Sequence, residues 1–249
     1  MSNPVFLLSV AELRVVAPGA DLTVGGDEGR HGVAVRRLRV GESVDIVDGA
    51  GRRATGTVAA TGSRDFTVSV LAVVDEPEPQ TRLTVVQALA KGDRAESAVE
   101  MLTECGVDRI VPWSAHRSVS VWRGERARKG ANRWRAVAAA ATKQSRRSRV
   151  PTISELSDSD RVAQLIAGAR LGLVLHEEAA ARLSRLDLPA GGGDVVVVVG
   201  PEGGITPDEL ARFDSAGALT VRLGESVLRT STAGVAAAAI LLAASGRWD

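Results

Sequence analysis

The chain is nearly devoid of cysteine: Cys105 is the only one in 249 residues. No disulfide can form within it, which fits a reducing compartment. Cys105 stands in an apolar helical pattern and reads as a buried structural thiol, not a nucleophile. No apolar run approaches the roughly 20 residues of a membrane span. The alanine-rich stretch Ala233 to Ala244 is too short and too small-sided for that role. The first residues, MSNPVFLLSVAEL, have no basic leading segment and no convincing cleavage site, so neither a signal peptide nor a membrane partner is expected, and a cytoplasmic location is. The three histidines are far apart and there is no His/Cys cluster, so no metal is expected. Also missing are GxGxxG and the GxxxxGK phosphate loop, which argues against a standard dinucleotide or P-loop nucleotide site.

What the chain does have is an uneven charge distribution. The formal net charge is +1, yet between Arg123 and Arg149 there are ten basic residues and a single acid, Glu125. Such a block is either a solvated helix face or a polyanion site, where clustered cations gain free energy by releasing counterions from phosphate.

Two parts are visible. Residues 1–74 are β-rich, with short strand-like runs at Val33 to Leu38, Ser43 to Val47, Ala54 to Ala59 and Phe66 to Val73, separated by glycine turns. This pattern predicts a small barrel. Residues 75–80, DEPEPQ, read as a linker. Residues 81–249 alternate strands and helices and predict an α/β domain around a parallel sheet. Strands are expected at Leu83 to Leu89, Ile110 to Trp113, Leu171 to Leu175, Val195 to Val199 and Leu219 to Leu223. Asp93 opens a helix with Glu96 as its capping-box partner, Gly106 closes it, and 124–145 is helical with Trp134, Val137, Ala138 and Ala141 on one face.

Three strand ends carry the chemistry: Leu175-His176-Glu177, Val199-Gly200-Pro201-Glu202 and Leu223-Gly224-Glu225. Ligands of open α/β sheets bind outside the carboxyl ends of the strands. Gly200, Gly203 and Gly204 let a ligand approach the backbone, and Thr206-Pro207-Asp208-Glu209 is a well-formed helix start. Taken alone, GPEGG is equally a structural loop.

Together, LHE, VGPEGGITPDEL and LGESVLRTSTAGVAAA closely resemble the SPOUT methyltransferases. Within them, nearly the whole chain is similar to the ribosomal RNA small-subunit methyltransferase E family. His31 with Val35-Arg36-Arg37, Gly41-Glu42, Gln87-Ala88-Leu89, Lys91-Gly92-Asp93, Thr103 to Val107, Arg117-Ser118, Trp134 and Gln144 to Pro151 carry the likeness. One departure is Arg146, where the family usually has glycine.

The resemblance implies a PUA-like barrel, a SPOUT domain with a deep C-terminal trefoil knot, and a homodimer. It implies methylation of uridine N3 in 16S rRNA of the small subunit, with S-adenosyl-L-methionine held by Leu175, His176, Val199, Gly200, Pro201, Gly203, Gly204, Leu223, Gly224, Val227 and Leu228. His176 either lines the pocket mouth or caps the next helix. Arg229 is the candidate to stabilise a uridine anion. Glu202 is either a base or an orienting carboxylate. RNA contacts are expected from Arg117, Arg133, Arg146, Arg147 and Arg149 on the catalytic domain, and from His31 and Arg37 on the barrel. Trp122 and Trp134 either stack on bases or belong to the core. Two alternatives remain open: a SPOUT enzyme on another RNA target, and a non-catalytic RNA-binding assembly protein.

Overall fold

The computed structural model describes residues 3–92 and 94–248. The chain divides into two units, Met1–Glu78 with Ala139–Val150, and Pro79–Ala138 with Pro151–Asp249. Among the described residues, no helix is long and apolar enough to cross a membrane.

The first unit is built from β1 (Val5–Leu7), α1 (Val10–Arg14), β2 (Asp21–Val24), α2 (Gly26–Arg30), β3 (Ser43–Val47), β4 (Arg52–Thr61) and β5 (Phe66–Asp75). The strands form one mixed sheet in the order β1-β3-β4-β5-β2, with β1 parallel to β3 and the other pairs antiparallel. The sheet curls into a half-barrel around Phe6, Ile46, Phe66 and Val68. The strand expected at Val33 to Leu38 is absent: His31–Val35 is a π-helical turn. The Val-Ala-Val alternation has no buried face to serve, since Val35 is 66% exposed and the buried positions of this stretch are Gly32 and Leu38. A Cβ on Gly32 would lie 2.5 Å from the Phe66 ring, so the turn enters the core through a glycine.

Residues 139–150 join this unit through specific bonds. The Arg149 guanidinium donates to the carbonyls of Ala50 and Glu76, both at 2.5 Å. The Ser148 hydroxyl donates to the Glu76 carboxylate, and Lys143 pairs with Glu28. Glu76, in the segment that reads as a linker, is thus tied into the unit.

The second unit contains β6 (Thr81–Ala88), α3 (Arg94–Cys105), β7 (Arg109–Trp113), α4 (Glu125–Gln144, its last residues counting with the first unit), β8 (Thr152–Ile153), α5 (Ser159–Ala167), β9 (Leu171–Leu175), β10 (Ala181–Arg182), β11 (Gly193–Val199), α6 (Pro207–Ser215), β12 (Ala218–Arg222) and α7 (Thr230–Ala244). Seven parallel strands run in the order β10-β12-β9-β11-β6-β7-β8. β11 is apolar on both faces because α3 and α7 cover one side and α5 and α6 the other. Gly106, at φ +108°, ends α3 with the Val107 amide on the Leu102 carbonyl. Asp93, the expected cap of α3, lies outside the described residues. Cys105 is half-buried rather than fully buried, because it sits in the last turn of α3.

Arg37 closes the turn after the π-helix at φ +55°, a conformation that costs an L-residue roughly 1–2 kcal/mol. Glycine avoids that cost but loses more entropy on folding. The Arg37→Gly variant is therefore expected to gain about 0.5–1 kcal/mol of stability, read as a higher midpoint of chemical denaturation at unchanged slope.

Candidate active site

Because β9 lies between β12 and β11, the turns leaving these three strands are neighbours at one edge of the sheet. They enclose a cavity of about 320 Å³. Of the expected cofactor residues, all but Gly203 line it. Leu175 and His176 come from the β9 exit, Val199, Gly200, Pro201 and Gly204 from the β11 exit, and Leu223, Gly224, Val227 and Leu228 from the β12 exit. Gly203 does something else. A Cβ there would lie 3.0 Å from the Cβ of Arg117 and 3.1 Å from its carbonyl, so this glycine permits the turn to pack on the β7–α4 loop. The Arg117 guanidinium then donates to the Gly203 carbonyl at 3.2 Å. Gly204 has φ +75°, the left-handed turn that lets α6 start.

Both candidate catalytic residues line the cavity. Arg229 is the N-cap of α7, and its side chain makes no capping hydrogen bond: the cap is made by backbone alone, with the Arg229 carbonyl accepting from the Thr232 and Ala233 amides. Glu202 accepts from the Lys91 amide at 3.3 Å and lies 4.0 Å from the Arg94 guanidinium. Its carboxylate therefore clasps the loop between β6 and α3. His176 lines the cavity, and its Nδ1 accepts from the Glu178 amide at 3.3 Å within the turn after β9; the residue that starts the next helical turn is Arg182, so His176 is not its cap.

Sequence reasoning missed Arg94, Arg222 and Ser226, which line the same cavity. The signal was available for Arg222, the last residue of a strand whose exit turn was already singled out. Its Nε is buried without a partner among the described residues. A buried donor of this kind is costly unless an occupant supplies an acceptor. Apolar side chains at the rim point the same way, with Val227 77% exposed and Leu228 40% exposed. The apolar walls, the orphaned donor and the volume fit a nucleoside-sized ligand carrying hydroxyl or carboxylate oxygens.

The residues expected to touch RNA fall in both units. His31, Arg37, Arg146, Arg147 and Arg149 belong to the first, Arg117 and Arg133 to the second. Arg146, Arg147 and Arg149 pack with the first unit although they follow the second unit's helix α4 in sequence. The physical cause is the clasp of Arg149 by the carbonyls of Ala50 and Glu76, which flank β4 and β5. Arg133 pairs with Glu96 at 3.0 Å, and His31 stands edge-on to Phe6. Trp134 is fully buried, so it is core; Trp122 is half-buried.

Behind the β11 turn, Glu209 is buried at the third position of α6. Burial alone would raise its carboxyl, but donors from the His116 and Thr206 amides and the Ser159 and Thr206 hydroxyls outweigh it, and its pKa lies below the ordinary value of 4.5. The Ser159 hydroxyl in turn accepts from the Trp113 indole at 3.2 Å.

Comparison with known proteins fits this geometry. Residues 76–242 match the RNA methyltransferase domain family, and residues 24–71 match the RNA methyltransferase PUA domain family. The chain is 44% identical over 236 residues to ribosomal RNA small subunit methyltransferase E of Mycobacterium bovis, spanning 93% of this chain and 89% of the relative. A methyltransferase of Legionella pneumophila, solved in complex with the cofactor SAM, superposes with a TM-score of 0.85 at 26% identity, covering 98% of each chain. The ribosomal RNA small subunit methyltransferase E of Neisseria gonorrhoeae, bound to S-adenosyl methionine, gives a TM-score of 0.84 at 26% identity, covering 97% of this chain and 98% of that one.

Glu209 supplies a stability test. A carboxyl whose folded pKa is depressed stabilises the fold above its unfolded value, and that contribution is lost as pH falls through the folded value. Glu209→Gln is expected to cost about 1–3 kcal/mol at neutral pH. It should also flatten the acid limb of the stability–pH curve, measured by denaturant titration between neutrality and pH 3.

Proposed function

The chain belongs to the ribosomal RNA small subunit methyltransferase E family of RNA methyltransferases, and on that premise we propose that it methylates N3 of a uridine in 16S rRNA of the small ribosomal subunit, with S-adenosylmethionine as donor. The observation that carries this reading is the single cavity at the β9, β11 and β12 exits, where an apolar cradle adjoins Arg229 and Glu202.

In this reading Leu175, Val199, Leu223 and Leu228 would hold the adenosine part of the donor, with the backbone of the three turns available to its polar edges. Arg222 offers its buried Nε to an oxygen of the same ligand. When bound, S-adenosylmethionine supplies an electrophilic methyl group on a positively charged sulfur. The chain's own task is to make a poor nucleophile available. N3 of uridine is an imide nitrogen, and its electron pair becomes reactive only when its proton leaves and negative charge spreads onto O2 and O4. Arg229, fixed at the start of α7, places a cation where that charge develops. Glu202, bonded to the Lys91 amide, positions the β6–α3 loop beside the reacting base. The proton passes to solvent. Fixing the base in one orientation within the site would supply a further large part of the rate, and the base must leave its stack to get there.

The same reading makes the protein a cytoplasmic homodimer whose C-terminal segment is threaded as a trefoil knot. The exposed Val227 and Leu228 beside the cavity support a second copy covering that rim.

The direct experiment transfers labelled methyl from S-adenosylmethionine to small ribosomal subunits lacking the modification, followed by nucleoside analysis. The expected product is 3-methyluridine. Label in a ribose or another base would move the target, and no label with RNA binding retained would support a non-catalytic role. Arg229→Ala is expected to lower transfer about 10²- to 10³-fold, with donor affinity by calorimetry changed less than about threefold. Undiminished transfer would remove Arg229 from the mechanism.

A further inference from the structure

Arg126, Lys129, Gly130 and Arg133 of α4 follow the i, i+3, i+4, i+7 spacing that places residues on one helix face. On an ordinary amphipathic helix that face is apolar. Here the four residues, with Trp122 and Glu96, line a second cavity of about 390 Å³. Its opposite wall is Leu89, Ala90 and Gly92, where β6 ends. That is the loop whose Lys91 amide donates to Glu202, and it leads into α3, whose first residue, Arg94, lines the first cavity.

The indole of Trp122 is held in a fixed pose. A Cβ on Gly130 would come within 2.6 Å of the ring, so only glycine lets the indole lie against the helix. On its edge it meets the buried Trp134, with ring centres 5.3 Å apart and planes at 70°. Glycine is unfavourable inside a helix relative to alanine, and here its missing side chain is the space the ring occupies. Around the ring stand three cations. Arg133 is paired with Glu96 at 3.0 Å, Lys129 lies 4.0 Å from Glu125, and Arg126 has no ion pair among the described residues. An acidic peptide would need the cations but not a pre-seated aromatic plane. A base stacked on an aromatic ring with its phosphates against cations needs both.

We infer that this cavity is a nucleotide subsite for single-stranded RNA, in which a base stacks on Trp122 while Arg126 and Lys129 neutralise the flanking phosphates. The inference rests on the reading that the substrate is RNA. It places a neighbouring nucleotide on the far side of the β6–α3 loop from the base being methylated.

The test exploits the scarcity of aromatic side chains. The chain has no tyrosine, its three phenylalanines are fully buried, as are Trp113 and Trp134, and among its Phe and Trp side chains the accessible ones are Trp122 and the 53% exposed Trp248. A single-stranded oligouridylate of about ten nucleotides, substituted with photoreactive 5-iodouridine, is irradiated with the protein, and the adduct is mapped by peptide mass spectrometry. The adduct is expected on Trp122. By fluorescence anisotropy, Trp122→Ala should raise the Kd roughly tenfold. Arg126→Glu, a change at an exposed position that spares the core, should raise it about fivefold and lower the salt slope by about one. Donor binding by calorimetry should be unchanged in both. No binding of the oligomer, an adduct on Trp248 alone, or unaltered affinity in both variants would overturn the inference, as would an altered sedimentation coefficient with unaltered RNA affinity, which would mark the cavity as a contact between copies. If the wild-type protein labels small subunits but Trp122 is not crosslinked, the subsite falls and the methylation reading stands. If Trp122 is crosslinked but no label is transferred anywhere, the reverse holds.

Discussion

Glu209 carries a negative charge in a place where burial alone would neutralise it. Four donors keep it ionised, and each comes from a segment that the active site needs in position. The Thr206 amide and hydroxyl end the glycine turn after β11. The His116 amide belongs to the loop that packs Arg117 against Gly203. The Ser159 hydroxyl starts α5 and holds the Trp113 indole at the end of β7. One carboxylate therefore joins two strand exits and two helix starts. Such an arrangement is strong when complete and costly when one member is lost, because the remaining donors stay buried. The cradle can be lined with glycine and remain rigid because its stiffness is supplied from behind.

Much of this was legible in the chain. Continuous valine from Val195 to Val199 shows a strand covered on both faces, and Thr206-Pro207-Asp208-Glu209 shows a capped helix start; both are present, the latter as a full capping box. The three strand exits were readable as one site because a parallel sheet with ligands at its carboxyl edge leaves few other arrangements. Less legible was anything set by partners distant in sequence. The helix of Val33 was hidden because its alternation imitates a half-buried strand, while burial is decided by Gly32 against Phe66. Glu209 could be named as a cap, but not as the acceptor for His116 and Ser159, which lie 93 and 50 residues away. Gly203 looked like its neighbours and differs only in facing Arg117.

The basic stretch illustrates how charge density conceals different jobs. Arg123 to Arg149 is one block in sequence, yet its members have separate fates. Arg149 is committed to two carbonyls, Arg133 to Glu96, Arg128 to Glu125 and Arg135 to Glu155. Most surface pairs of this kind contribute little to stability. They matter by fixing which cations are left to face a ligand, so the count of positive residues overstates the positive surface.

The third wall of the cavity comes from the last part of the chain. Leu223 to Ala233 closes a site whose other walls are finished by Ile205, and the first carbonyl of α7 accepts from the side-chain amide of Gln87, 143 residues earlier. During synthesis from the N-terminus, β6 and the β9 and β11 exits therefore exist for some time as an open half-site. Closure waits for the final helix, and contacts of such long sequence separation form slowly. Ligand occupancy is thus a certificate of completion: a nascent or C-terminally clipped chain can own most of the fold and still lack the enclosed site.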